Sequence, residues 1–365
     1  MRTLLRHAVC QVLALSLLGA MAFGQNYNVT SLKTNMTDPD LVNPWGLARG
    51  SGTPWWVADN RTGLSTIYVG NGTKASLTVT IPGAKPGVKG TPTGIMYNGS
   101  KTDFLIGGAA PLYLFCTLDG TIAAWIPGTK TAMTVVKTTD GSSFTGLTSA
   151  MVGTQRRLYL ANFTKGRVDV YDNMFHPMAL GQGHFEDDQL PPDYVPYNVQ
   201  AIGNDIVVTY ALHEEGNLFE TDGPGFGYVD IFSANGKLIQ RLEHGDWLNA
   251  PWGVAMAPLD FGTYSHDLLV AQFAGGGTTD SSGYIAAYDM ASGRFKGLLE
   301  DAQGNPLQIN GIWAISFGNR SPSNYDSAGT PAAEMYFTAG PNHTSGGEFG
   351  FVTPASNELI QGNGQ

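Results

Sequence analysis

His213-Glu214-Glu215 and His343 are the side chains of this sequence best suited to moving protons. An imidazole titrates close to neutral pH, and a carboxylate beside it can orient the ring for general acid–base work. His213, Glu214 and His343 are therefore the candidate catalytic groups. Their spacing does not match the H-E-x-x-H of a helical zinc site, and a run such as H-E-E is ordinarily a solvated loop. A second set is built of oxygen donors: Asn43, Asp59, Asn60, Asn162 and Asn249. Converging carboxylates and amide carbonyls suit a hard cation. Ca2+, which takes about six to eight oxygen ligands, is the cofactor that Asn43, Asp59, Asn162 and Asn249 would hold. The same residue types also make turns at strand ends, which needs no cation. Trp252 adds an aromatic face, and with Asp59, Asn60, Asn162 and His213 it makes the candidate ligand-binding set.

Other chemistries have no foothold. There is no G-x-S-x-G elbow, P-loop or C-x-x-C, and the glycine strings lack the strand-to-helix setting that phosphate binding needs. Cys116, in L-Y-L-F-C-T, alternates with Leu112 and Leu114 and reads as a buried thiol. Cys10 falls in an apolar stretch, 8–18, that follows Arg2 and Arg6 and precedes small residues at 20–24. That order is an export signal over residues 1–24, too short for a membrane span of ~20 apolar residues. Cleavage would leave one cysteine and no intramolecular disulfide, so the exported chain must rest on its core. Twenty Lys and Arg against 30 Asp and Glu give a net charge of −10, and no basic run is present, which excludes nucleic acid as a partner.

The elements that position these residues follow from a repeat. N-P-W-G-L-A at 43–48 returns as T-P-T-G-I-M (91–96), F-T-G-L-T-S-A (144–150), V-P-Y-N-V-Q-A-I (195–202), A-P-W-G-V-A-M-A (250–257) and G-I-W-A-I-S-F (311–317). Gly46, Gly94, Gly146, Asn198, Gly253 and Ala314 mark the same place in each unit, 48 to 61 residues apart. Each unit continues with a second strand, at 54–59, 103–108, 157–163, 205–211, 267–273 and 334–340, and then a third, as at 65–70 and 227–233. Most close with a weaker fourth, as at 76–81, 132–137 and 238–243. Forty-eight glycines with only 14% charged residues fit short strands joined by many turns and exclude coiled coils and charged disorder. A period of this length suits the blade of a propeller rather than a solenoid. The last unit lacks a fourth strand, and Y-N-V-T-S-L (27–32) stands outside any unit, so this N-terminal segment is expected to complete it.

In such a ring the first strand of each unit lies against the channel. The turns before it and after the second strand open on one face. Asn43, Trp45, Asn249, Trp252, Asn310 and Trp313 then meet Asp59, Asn60, Asn162, Phe163, Gln272, Phe273, Asn342, His343 and the His213 loop at one channel mouth. The plainer role for the Trp residues is to wedge between neighbouring blades, with Gly letting the backbones crowd near the axis. The enlarged loops 210–228 and 273–283 fall on this face, and the insertion 318–333 falls on the other.

N-P-W-G-L-A with W-W-V-A-D-N, and A-P-W-G-V-A two hundred residues on, resemble a family of secreted bacterial six-bladed propellers, related in architecture to NHL-repeat and gluconolactonase-like propellers. The likeness spans essentially the whole mature chain. Gluconolactonase-like propellers hold a divalent metal through Glu, Asp and Asn in the channel, but this sequence has no Glu early in its first unit to match theirs. Members sorted to the surface carry a C-terminal Pro-Glu-Pro tail. The ending Q-G-N-G-Q implies release beyond the inner membrane instead.

The expectation is an all-β, six-bladed β-propeller of four-stranded antiparallel blades closed by the N-terminal strand. It would fill 25–356 as one domain, behind a signal peptide (1–24) and before a flexible tail (357–365). Functionally it would be an exported, periplasmic or extracellular monomer that binds a small molecule, glycan or protein at the channel mouth, with no membrane span once the signal is cleaved. The alternative is a Ca2+-dependent hydrolase or lactonase, in which the channel metal polarises a carbonyl or activates a water.

Overall fold

The structure is a computed structural model and describes residues 26–273, 283–318 and 333–355. The expected export signal with Cys10, the expected tail 357–365 and most of the loops 273–283 and 318–333 lie outside the described residues. Six four-stranded antiparallel sheets follow one another around a ring, making a six-bladed β-propeller. Among the described residues no helix is long and apolar enough to cross a membrane. The innermost strands are Pro44–Ala48, Pro92–Tyr97, Phe144–Val152, Tyr194–Ile202, Pro251–Met256 and Ile312–Phe317, and blades 1 to 6 are numbered in that order.

The ring closes as the repeat implies. Tyr27–Thr34 lies antiparallel along Glu348–Pro354, from Tyr27 opposite Pro354 to Thr34 opposite Glu348 with one register shift between Ser31 and Lys33, and so becomes the outer strand of blade 6. Tyr27 also laps onto blade 5. Its ring stacks on Tyr264 at 6.1 Å, and its hydroxyl donates to the Phe261 carbonyl at 3.0 Å.

One strand differs from expectation. The second strand of blade 2 is Tyr113–Thr117, not 103–108. Phe104, Gly107 and Gly108 all take positive φ (61°, 57° and 87°), which breaks an extended strand. Asp103 instead accepts hydrogen bonds from Ser100, Asn173 and Arg156, and Phe104 is buried against Phe175 at 5.4 Å. Residues 103–108 thus belong to the loop between the first two strands of blade 2 and pack against blade 3. Leu114 and Cys116 share a buried cluster with Phe104, and burial pushes the Cys116 thiol up to about 12, as suits an inert core residue.

Side chains pack mainly at the seams between adjacent blades. Seam 6–1 is aromatic, with Trp55 on Tyr336 at 4.7 Å and Tyr68 on Phe349 at 5.2 Å, and its cluster runs on without a break into the axis.

Candidate functional site

Every innermost strand shifts register against its neighbour at the same place. The shifts fall between Pro44 and Leu47, Pro92 and Ile95, Phe144 and Gly146, Pro196 and Asn198, Pro251 and Val254, and Ile312 and Ile315. An extra residue in one strand re-aims the side chains on either side of it. Here the shift spans the Trp-Gly pair of the repeat, and both residues gain a role. The glycine makes room: a Cβ on Gly253 would come within 2.2 Å of the Trp313 carbonyl, and one on Gly146 within 2.0 Å of Asn198 Oδ1. Asn198 holds the glycine position of blade 4 and donates from Nδ2 to the Trp252 carbonyl at 2.7 Å.

The large residue before the glycine points to the axis. Trp45, Tyr197, Trp252 and Trp313 are all buried and meet one another, rather than wedging apart neighbouring blades. Trp45 stacks on Trp313 at 3.8 Å, Trp313 on Phe273 at 3.9 Å, and Trp252 meets both Trp45 (6.1 Å) and Trp313 (5.9 Å) edge-on. Tyr197 joins Trp45 at 6.4 Å and Phe163 at 5.6 Å. Blades 2 and 3 carry Thr93 and Thr145 at this position, and Trp252 reaches across to donate its indole N–H to the Thr145 carbonyl at 3.0 Å. The channel is thereby plugged by aromatic rings just inside the mouth.

The sequence-predicted polar residues surround this plug, but each is engaged by a different partner. Asn43 accepts the Trp313 indole N–H at 2.9 Å and donates to Asn60 Oδ1 at 3.2 Å. Asn60 in turn donates to the Pro92 carbonyl at 3.1 Å. This relay ties blades 6, 1 and 2 together. Asn162 donates to Asp169 and Ser142 and accepts from the Ser143 amide. Asn249 Oδ1 accepts the Gly223 backbone N–H at 2.8 Å, and the Asn249 backbone N–H donates to Gln272 Oε1 at 3.0 Å. Asp59 is fully buried with Oδ2 on the Thr66 amide at 2.8 Å. Burial, and then the charge of Asp38, holds its carboxyl well above the usual carboxylate range. Trp252 belongs to the plug itself. Among the described residues no three His, Cys, Asp or Glu side chains gather as a metal site.

The His213 loop folds largely on itself. The His213 ring lies 4.4 Å from Phe163 and its Nε2 is 2.9 Å from the Asn217 carbonyl. Glu214 accepts from Thr221 at 3.0 Å and Asn217 at 3.4 Å. His343 is exposed in a turn whose residues Asn342, His343 and Thr344 all take positive φ (56°, 53° and 62°). It stands apart from the His213 loop, on blade 6 rather than blade 4.

Sequence reasoning missed the groups that this loop brings to the axis. Glu220 faces the Tyr197 hydroxyl at the plug, with Asp222 beside them. Burial, and then the Asp222 charge, pushes the Glu220 carboxyl up to about 7. Burial and the same two carboxylates hold the Tyr197 phenol well above its ordinary value. No positive side chain among the described residues acts on either group. The available signal was the spacing in E-T-D, which puts Glu220 and Asp222 on one side of an extended segment.

These features define a class: a six-bladed β-propeller whose channel is stoppered by aromatic rings and rimmed by carboxylates at one end. No family model matches the chain. It is 30% identical over 306 residues to "Uncharacterized protein R648" of Acanthamoeba polyphaga mimivirus, covering 80% of this chain and 72% of that protein. The chain belongs to the family of that viral protein. The relative is thus viral, where the resemblance in the sequence implied a bacterial group. Among solved structures, a streptogramin B lyase superposes with a TM-score of 0.52 at 10% identity over 91% of this chain and 99% of that one. Virginiamycin B lyase from Staphylococcus aureus gives 0.51 at 10% identity over 90% and 100%. These likenesses show the fold alone.

Proposed function

We propose that this chain is an exported, monomeric binding propeller without catalysis, which takes a ligand at the channel mouth through a cationic group set against Glu220. One observation carries the reading: over the aromatic plug the buried Tyr197 hydroxyl has no hydrogen-bond partner among the described residues, the Glu220 carboxyl acts on it, and no positive side chain among the described residues acts on either. A ligand ammonium or guanidinium supplies that charge, and aromatic faces beside carboxylates favour it further. Phe163, Phe273 and the His213 ring are the rim against which the rest of the ligand would lie. Asn43, Asn60, Asn162 and Asn249 support this site by fixing the plug and the loop rather than by touching the ligand. Export rests on Arg2, Arg6 and the apolar stretch 8–18, and N-terminal sequencing of the exported protein is expected to begin near residue 25.

The test is calorimetric titration of the full chain with agmatine and with a short Arg-containing peptide. Binding is expected to strengthen as pH rises through about 7, because the cation needs the ionised Glu220 carboxyl. It is expected to weaken at least about tenfold in Glu220→Gln. Absence of binding by either probe, or unchanged affinity in that variant, would overturn the proposal. Stoichiometric Ca2+ whose removal abolishes lactone turnover would establish the hydrolase instead.

A further inference from the structure

The opposite end of the channel, beyond the plug, is a separate chamber of about 190 Å3. Its roof is Trp252, and its walls are the later residues of the six innermost strands. Leu47, Ile95, Leu147, Val254 and Ile315 stand two residues past the Trp position in five of the blades. Blade 4 presents Asn198 and Gln200 instead. Among the described residues no Asp, Glu, Lys, Arg or His lines the chamber.

Two kinds of unmet hydrogen-bonding capacity face this space. The first is the backbone. Each innermost strand pairs only with the second strand of its blade, so its axis-facing edge has no strand partner. Side chains take some of its backbone groups, such as the Trp252 carbonyl and the Ala314 amide, and the buried N–H and C=O groups left over must find a partner in water or a ligand. The second is side-chain. The Gln200 amide and the Ser316 hydroxyl line the chamber and make no hydrogen bond with any described residue. At ~30 Å3 per water, the volume holds about six waters. A compact polyol of five or six carbons carries a similar number of oxygens and could replace them one for one, each hydroxyl both donating and accepting. A charged ligand would lose its hydration with no ion to meet it.

We infer that this chamber is a second binding site, for a neutral polyol of about five or six carbons that enters from the face opposite the Glu220 mouth. The assignment stands apart from the cation-binding reading, since the plug separates the two sites and they share only Trp252.

The experiment is isothermal titration of the full chain with myo-inositol, sorbitol and glucose, with glucuronate as the charged comparator. At least one neutral probe is expected to bind saturably, with a Kd in the millimolar range or tighter, and glucuronate is not. Affinity is expected to be the same at pH 5 and pH 8, which distinguishes this site from the mouth. Gln200→Leu is expected to weaken binding about tenfold. Ser316→Phe fills the chamber and is expected to abolish binding, with Ser316→Leu as the milder filling variant should the first not fold. No saturable binding by any neutral probe, equal binding of glucuronate, or unchanged affinity in a folded filling variant would each overturn the assignment.

Discussion

The two ends of the channel are built from the same six strands yet offer opposite chemistry. At the mouth, Trp45, Tyr197, Trp252 and Trp313 fill the axis with rings, and Glu220 adds a carboxyl on which no positive side chain among the described residues acts. At the far end the same strands contribute aliphatic side chains, backbone edges without a strand partner, Gln200 and Ser316, and among the described residues no charge. The division falls at the shared register shift, which turns the large residue to the axis on one side and leaves small or aliphatic residues on the other. A single repeated irregularity thus makes two compartments out of one pore.

The strongest way to break this contrast is to remove the stopper. Trp313 stacks on both Trp45 and Phe273 and is almost wholly buried, so Trp313→Ala should cost about 3–5 kcal/mol. Denaturant unfolding would measure that loss. In the same variant, mouth and chamber are expected to become one continuous pore. A variant as stable as the parent would mean that the rings do not carry the axis.

Smaller changes test how the stopper is held. Gly253→Ala would drive a methyl against the Trp313 carbonyl, with an expected loss of about 1–3 kcal/mol. Asn43→Leu would orphan the Trp313 indole N–H and break the relay through Asn60, costing about 1–3 kcal/mol. Both are read from thermal melts, and Asn43→Asp, which keeps the acceptor for the indole, should lose less.

The smallest effect is a pH dependence confined to one end. Glu220 titrates near 7 in the folded chain and near 4.5 when free, so the folded state holds its proton more tightly. Its contribution to stability is complete below about pH 4.5, falls as pH rises towards 7, and is gone above that. Glu220→Gln should flatten this window. A similar decline, running up to about pH 8, belongs to Asp230 on blade 4. Burial, and then the neighbouring Asp187 charge, raises that carboxyl, and Asp230→Asn should remove the decline. Melts across pH 4–9 separate the two, because only the Glu220 window should move when a cation binds the mouth.

Much of this architecture was legible in the sequence because it repeats. N-P-W-G and its echoes locate the innermost strands, and Y-N-V-T-S-L is the clasp that closes blade 6. Blade 2 was harder, since D-F-L-I-G-G has a strand's composition, while the positive φ values at Phe104, Gly107 and Gly108 depend on packing against blade 3. The Trp residues were identifiable, but their meeting across the axis depends on ring geometry that no local pattern encodes. Asn43, Asn60, Asn162 and Asn249 could be picked out as candidates from their type and position. Their partners, such as the Trp313 indole 270 residues from Asn43, lie in other strands and loops. Glu220 and Asp222 escaped notice because an E-T-D run in a polar loop looks solvated until the loop folds inward over Tyr197.

Tryptophan fluorescence tests the cation-binding mouth most directly, since three indoles form the stopper beneath Glu220 while Trp55, Trp56, Trp125 and Trp247 lie outside it. Agmatine added at pH 8 is predicted to change the emission saturably, with a midpoint that matches calorimetry, and to do much less at pH 5 or in Glu220→Gln. Emission that does not respond, or that responds equally in Glu220→Gln, would contradict the account.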